Sequence, residues 1–162
     1  MNKALLKSEK PDWNTPEKLL GYVYSFFGDI ADLDPCSNGS SIVKSRQIYD
    51  GSEGSNGLSE LWHGNVFVNP PYGREILPWI EKAVDERKQC EILMLVPSRT
   101  DTRWWNLAVL NSTSVCFIKG RLTFLGAPHP APFPSAVIYY GNSPKHFTKV
   151  FMEIGIVTEL SK

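Results

Sequence analysis

The residues best equipped for chemistry are Asn69-Pro70-Pro71-Tyr72, which close the stretch NVFVNPPYG at Asn65–Gly73. Val66, Phe67 and Val68 are apolar β-formers, and Asn69 with two prolines ends the strand they predict. Pro70 and Pro71 have fixed φ and no amide donors, so neither strand nor helix continues through them. Asn69, preceding a proline, is pushed towards an extended conformation. The product is a stiff loop at the carboxyl end of a strand, where open α/β sheets bind ligands. The Asn69 side chain both donates and accepts hydrogen bonds. The Pro70 carbonyl has no ladder to join, and Tyr72 offers a flat ring. An acceptor, a free carbonyl and a ring within one tetrapeptide can grip a planar group bearing an NH2.

Such a loop needs a scaffold, and the flanking sequence predicts one of alternating helices and strands. Thr15-Pro16-Glu17 is a helix-start signal, with Thr15 as N-cap and Pro16 at the first helical position. Leu19, Leu20, Val23, Phe26 and Phe27 then give an apolar face to about Phe27. Ile30–Asp34 reads as the first strand and Arg46–Tyr49 as the second. Gly51–Gly57 is a Gly/Ser-rich loop, and Leu58–Trp62 is expected to form one helical turn. Ile76, Trp79, Ile80, Ala83 and Val84 share a face of a helix over Ile76–Gln89, in which Pro78 sits early enough to be tolerated. Ile92–Val96 is a continuous apolar run, as in a strand buried on both faces. Asp101 or Thr102 caps a helix to about Leu110, and Val115–Ile118 is a further strand. Lys119–Phe124 and Ser135–Tyr140 are expected to pair as a hairpin around the proline-rich Gly126–Pro134. Phe147, Val150, Phe151 and Ile154 place a helix over Lys145–Ile154, stopped by Gly155.

The length of 162 residues points to one domain, residues 13–162, preceded by a mobile polar arm at 1–12. Formal net charge is zero, with 17 basic and 17 acidic residues, which argues against a histone-like electrostatic binder but leaves room for a local basic face. Cys36, Cys90 and Cys116 are odd in number and lack CxxC spacing, so a disulfide framework or zinc site is not expected and a reducing cytosol fits better. No stretch reaches the length of a membrane span, and Met1–Lys10 lacks a signal peptide's apolar core.

The motifs in order are WNTP (Trp13–Pro16), LDPCSNG (Leu33–Gly39), GLSELW (Gly57–Trp62), NPPYG, VPSRTDTRWW (Val96–Trp105), GRLTF (Gly120–Phe124) and PSAVI (Pro134–Ile138). As a set, spanning Trp13 to Tyr140, they resemble the small phage and prophage DNA adenine-N6 methyltransferases. NPPY alone is less specific, since protein-glutamine and RNA-guanine methyltransferases share it. The resemblance implies a Rossmann-like class I methyltransferase fold: a mostly parallel sheet, an antiparallel strand near the C-terminus and helices on both faces. It implies S-adenosylmethionine as methyl donor, DNA as substrate and no metal. A bacterial or phage-infected cytoplasm and a monomer are expected.

Carried over residue by residue, the resemblance makes Asn69, Pro70, Pro71 and Tyr72 catalytic. Accepting both amine hydrogens, at the Asn69 side-chain oxygen and the Pro70 carbonyl, would make the nitrogen more tetrahedral and its lone pair more available. Cofactor contacts fall to Trp13, Thr15, Pro16, Asp34, Pro35, Cys36, Asp50, Gly57, Leu58 and Asn69. Asp34 either faces the cofactor's ammonium or caps its own turn. Asp50 either accepts from two ribose hydroxyls or is a turn residue before Gly51. The loop at Asp34–Gly39 departs from the family's glycine-rich pattern, holding Gly39 alone. Arg99, Arg103, Trp104, Arg121 and Phe124 are candidate DNA contacts; a solvated helix start with core tryptophans accounts equally for the Arg99–Trp105 cluster. Two alternatives stand beside DNA adenine methylation: methyl transfer to RNA or protein glutamine, and a catalytically inactive DNA-binding protein on the same fold.

Overall fold

The computed structural model describes residues 12–161; most of the expected N-terminal arm lies outside them. Among the described residues the chain is a mixed α/β protein of four helices and seven strands. The order is α1 (Glu17–Phe27), β1 (Ala31–Asp34), β2 (Ser45–Ile48), β3 (Gly64–Val68), α2 (Ile76–Glu86), β4 (Cys90–Pro97), α3 (Arg103–Leu110), β5 (Ser114–Ile118), β6 (Ser135–Tyr140), α4 (Pro144–Phe151) and β7 (Gly155–Glu159).

The strands form one sheet in the order β2-β1-β3-β4-β6-β5-β7. β2, β1, β3 and β4 are mutually parallel. β6 runs antiparallel to β4 and β5, and β7 runs antiparallel to β5. Five strands thus share a direction and two oppose it, where the sequence led us to expect one reversed strand. The second reversed strand is β7, which takes the place of the expected helix end: α4 stops at Phe151, and Gly155 opens a strand instead of closing a helix. Gly155 sits so close to the Phe117 carbonyl that a Cβ there would stand 2.1 Å from it. That close pairing, invisible in local periodicity, lets the chain join the sheet.

Side chains alternate across the strands, and each set meets its own helices. Val66, Val68, Ile92, Met94 and Val96 pack with Ile76, Ile80 and Ala83 of α2 and Trp105 and Ala108 of α3. Phe67, Leu93 and Leu95 pack with Leu19, Leu20, Val23 and Phe26 of α1 and Phe147 and Phe151 of α4. Helices therefore cover both faces, and the continuous apolar run of β4 follows from burial on both sides.

Three further expectations are corrected. The hairpin joins β5 directly to β6; Lys119–Phe124 pairs with neither and belongs to the long connection between them. Leu58–Trp62 is a turn without helix, because Trp62 is drawn into the core and its indole N–H donates to the Gly57 carbonyl at 2.7 Å. Thr15 does not cap α1: the N-cap is Pro16, and no side chain accepts from the first turn. Thr102, by contrast, caps α3 by accepting from the Trp105 amide at 3.2 Å.

Candidate functional site

The sheet changes winding direction between β1 and β3. From β1 the chain steps outward to β2, whereas from β3 it steps the other way to β4. Ligands in open α/β sheets bind where strand order reverses, outside the carboxyl ends. The loops leaving β1 and β3 at that point are Asp34-Pro35-Cys36-Ser37-Asn38 and Asn69-Pro70-Pro71-Tyr72-Gly73. Each begins with a polar residue followed by proline. A cleft of about 930 Å³ opens there, lined by residues of both loops together with Trp13, Arg74, Glu75, Arg99, Trp104 and Phe133.

In the β3 loop Asn69 is held from a distance. Its Nδ2 donates to the Trp13 carbonyl at 2.6 Å and to the Thr15 hydroxyl at 3.1 Å. A carbonyl oxygen only accepts, so the amide nitrogen must be the atom facing Trp13. The Asn69 Oδ1 is buried and has no hydrogen-bond partner among the described residues. Buried polar atoms are seldom left so, and Asn69 is a residue of the cleft wall. Tyr72 packs edge-on to Phe124 and Phe133, with centroids 6.3 Å and 5.7 Å away, and Trp13 packs against the same two rings. Burial pushes the Tyr72 hydroxyl far above its ordinary range, so it stays neutral. Gly73 turns the loop back towards α2 at φ 87°, a left-handed conformation that costs glycine least.

In the β1 loop Asp34 is 3 % exposed and its Oδ1 accepts from the Cys36 amide at 3.1 Å. Burial pushes its carboxyl up to about 6, against the lowering pull of that amide and of Ser37. Cys36 is pushed up to about 12 by burial and then by the negative charges of Asp34 and Glu75, which makes it a poor nucleophile. Gly57 supports the loop from below: a Cβ there would stand 1.9 Å from the Pro35 carbonyl oxygen. Asn38 ties the loop to the N-terminal segment by donating to the Asn14 side chain at 2.8 Å.

Asn69, Pro70, Pro71, Tyr72, Trp13, Cys36, Arg99 and Trp104 thus line one cleft. Other candidates lie elsewhere. Asp50 is exposed and its Oδ1 accepts from the Ser52 amide and hydroxyl, so at least one carboxylate oxygen belongs to its own turn. Leu58 is 38 % exposed and lines no part of this cleft. Pro16 and Arg121 line a separate cavity of about 430 Å³ with Lys18, Lys119 and Glu153. Arg103 is exposed on α3. Phe124 is 1 % exposed and backs Trp13 and Tyr72, while Phe133 reaches the cleft with the Arg99 guanidinium 5.6 Å from its ring centroid. Arg74 and Glu75 also line the cleft without having drawn notice in the sequence; their place directly after NPPYG was the available signal. No cluster of three or more metal-ligating side chains occurs among the described residues, nor is any helix among them long and apolar enough to cross a membrane.

The winding reversal and the cleft outside it belong to a mixed α/β protein with a seven-stranded sheet and four helices. The family model for DNA N-6-adenine-methyltransferase (Dam) matches residues 2–135, and the chain belongs to that family. It is similar to a DNA N-6-adenine-methyltransferase of Escherichia phage T1, at 30% identity over 114 residues covering 68% of this chain and 46% of the relative. The chain thus spans about half the length of the curated relative it matches.

Proposed function

We propose that this chain transfers a methyl group from S-adenosylmethionine to the N6 amine of adenine in DNA, on a Rossmann-like class I methyltransferase fold. The observation that carries the reading is Asn69, a residue of the cleft wall whose side-chain oxygen has no partner among the described residues. An exocyclic amine brings two N–H donors and a flat ring. One donor suits Asn69 Oδ1, the second the Pro70 carbonyl, and the ring suits the Tyr72 and Phe133 surfaces. The cleft lies within the range of volumes that ligand sites occupy and has room for donor and base to meet.

The amine is a weak nucleophile because its lone pair is delocalised into the ring. Two acceptors that hold its hydrogens out of the ring plane favour a tetrahedral nitrogen and free the pair. With the donor bound, the nitrogen pair would form the new N–C bond as the C–S bond broke with its electrons going to sulfur, and the nitrogen would give up one proton to solvent. The sulfonium supplies an already activated methyl group, so the chain contributes chiefly alignment. Asp34, hydrogen-bonded to the cleft-lining Cys36, and the Trp13–Pro16 segment, hydrogen-bonded to Asn69, fit the donor's charged amino-acid end. A base inside a duplex must first be unstacked, at a cost of a few kcal/mol. Arg99 and Trp104 at the rim suit a phosphate and a base face. Such an enzyme works in the cytoplasm of a bacterium or an infected host.

The test is methyl transfer from labelled donor to DNA, RNA and protein in parallel, followed by mapping of the modified base. Label on adenine in DNA is expected. Label confined to RNA or protein, or none at all, would replace this reading with one of its rivals.

A further inference from the structure

Thr15 stands immediately before Pro16, the N-cap of α1, and its hydroxyl serves a loop 54 residues away. It is 3 % exposed, and no side chain caps α1. We propose that Thr15 is a positioning residue for Asn69, holding the amide nitrogen so that only the oxygen of this cleft-lining side chain is left as a free acceptor. This rests on the reading of Asn69 given above.

The argument is an inventory of donors and acceptors. A primary amide has two N–H donors and one carbonyl acceptor. The Trp13 carbonyl takes one donor and the Thr15 hydroxyl takes the other, at 2.6 Å and 3.1 Å. Nothing on the nitrogen remains to offer a ligand, and the oxygen is left with no partner. The locked amide therefore accepts from an amine and cannot donate to a ring carbonyl. A base edge bearing an exocyclic NH2 is selected over one bearing an oxo group at the same place, which would set two oxygens against each other. Trp13 contributes through its backbone, so Thr15 supplies the only side-chain part of the lock. Without the Thr15 oxygen one buried N–H lacks a partner and the amide is free to swing, so Oδ1 is aimed at the amine for less of the time.

Thr15→Val keeps the shape and removes the acceptor; Thr15→Ser keeps the acceptor. Thr15→Val is expected to lower the single-turnover transfer rate about three- to tenfold, the size of one lost hydrogen bond. KM for DNA should stay within about twofold, and affinity for S-adenosylmethionine should fall by less than the rate does, since Thr15 belongs to the segment that fits the donor. Thr15→Ser should recover most of the rate. Added to Asn69→Ala, Thr15→Val should cost nothing further, because the two act as one unit. A second readout needs no turnover: the Asn69 side-chain NH2 resonances, identified by their loss in Asn69→Ala. They should exchange slowly with water in the parent and in Thr15→Ser, and faster in Thr15→Val. An unchanged exchange rate, an unchanged transfer rate in an active parent, or a loss that adds to that of Asn69→Ala overturns the proposal. If the parent transfers no methyl group to DNA, the functional reading fails instead, and the exchange measurement alone judges the lock.

Discussion

Asp34-Pro35 and Asn69-Pro70 are the same local design used to different ends. Both place a short polar side chain at the carboxyl end of a parallel strand, and both follow it with proline. Asp34 spends an oxygen on its own loop, at the Cys36 amide two residues on. Asn69 spends its nitrogen on Trp13 and Thr15, 56 and 54 residues away, and keeps its oxygen. Local satisfaction shapes a turn and offsets part of the upward pull of burial on the Asp34 carboxyl. Distant satisfaction of one end of an amide leaves the other end pre-aimed and without a partner, which is what a catalytic acceptor requires.

The largest effect expected from breaking this contrast is on turnover. Asn69→Ala should lower the single-turnover rate by about a hundredfold or more, the scale seen when a group interacting mainly with the transition state is removed. The substitution also frees the Trp13–Thr15 segment, so a modest loss of donor affinity should accompany it; a parental rate would mean that Asn69 only shapes a turn. Next comes Asp34→Ala, which should weaken S-adenosylmethionine binding roughly ten- to a hundredfold by titration calorimetry, for loss of one charge-assisted hydrogen bond. Unchanged affinity in a folded variant would leave Asp34 as a turn cap alone.

The raised Asp34 carboxyl sharpens the comparison through pH. Its folded value of about 6 exceeds the ordinary 3.8, so the folded chain binds more protons than the unfolded chain between those two values. The Asp34 contribution to stability is therefore highest in acid and declines as pH rises through that window, by at most about 3 kcal/mol. Asp34→Asn keeps an acceptor for the Cys36 amide and removes the charge. Its stability relative to the parent, from denaturant titrations at pH 4 and pH 7, should rise with pH; a difference independent of pH would show that the carboxyl titrates normally.

Smaller effects are expected at the rim. Arg99 lines the cleft and Arg121 the separate cavity, so their single neutralisations distinguish a DNA path confined to the cleft from one that crosses both. Each real phosphate contact removed should flatten the salt dependence of DNA affinity by about one unit, alike for all sequences. The smallest effect belongs to Tyr72→Phe. Its hydroxyl reaches only the Leu95 carbonyl, at 3.5 Å, so transfer should stay within about twofold while Tyr72→Ala weakens capture of the base. A large loss in Tyr72→Phe would move the role from ring to hydroxyl.

Much was legible in the sequence because its causes are local. Apolar periodicity gave α1, α2 and the doubly buried β4, and Thr102 announced the start of α3. Two prolines after Val66-Phe67-Val68 placed a rigid polar loop at a strand end. What escaped was set by groups far apart in the chain. β7 forms because Gly155 admits the Phe117 carbonyl, while its own alternation is too weak to outweigh the helical pattern before it. The Lys119–Phe124 segment has the residues of a strand, but β5 already occupies the edge of β6 that it would need. The WNTP motif reads locally as a helix cap; only the folded chain brings Thr15 and Trp13 beside Asn69 and turns the cap's hydroxyl into a clamp. The sequence by itself singled out Asn69 as the side chain proposed to receive an amine. The tertiary structure decided which of its atoms is free to do so, because that depends on partners more than 50 residues away.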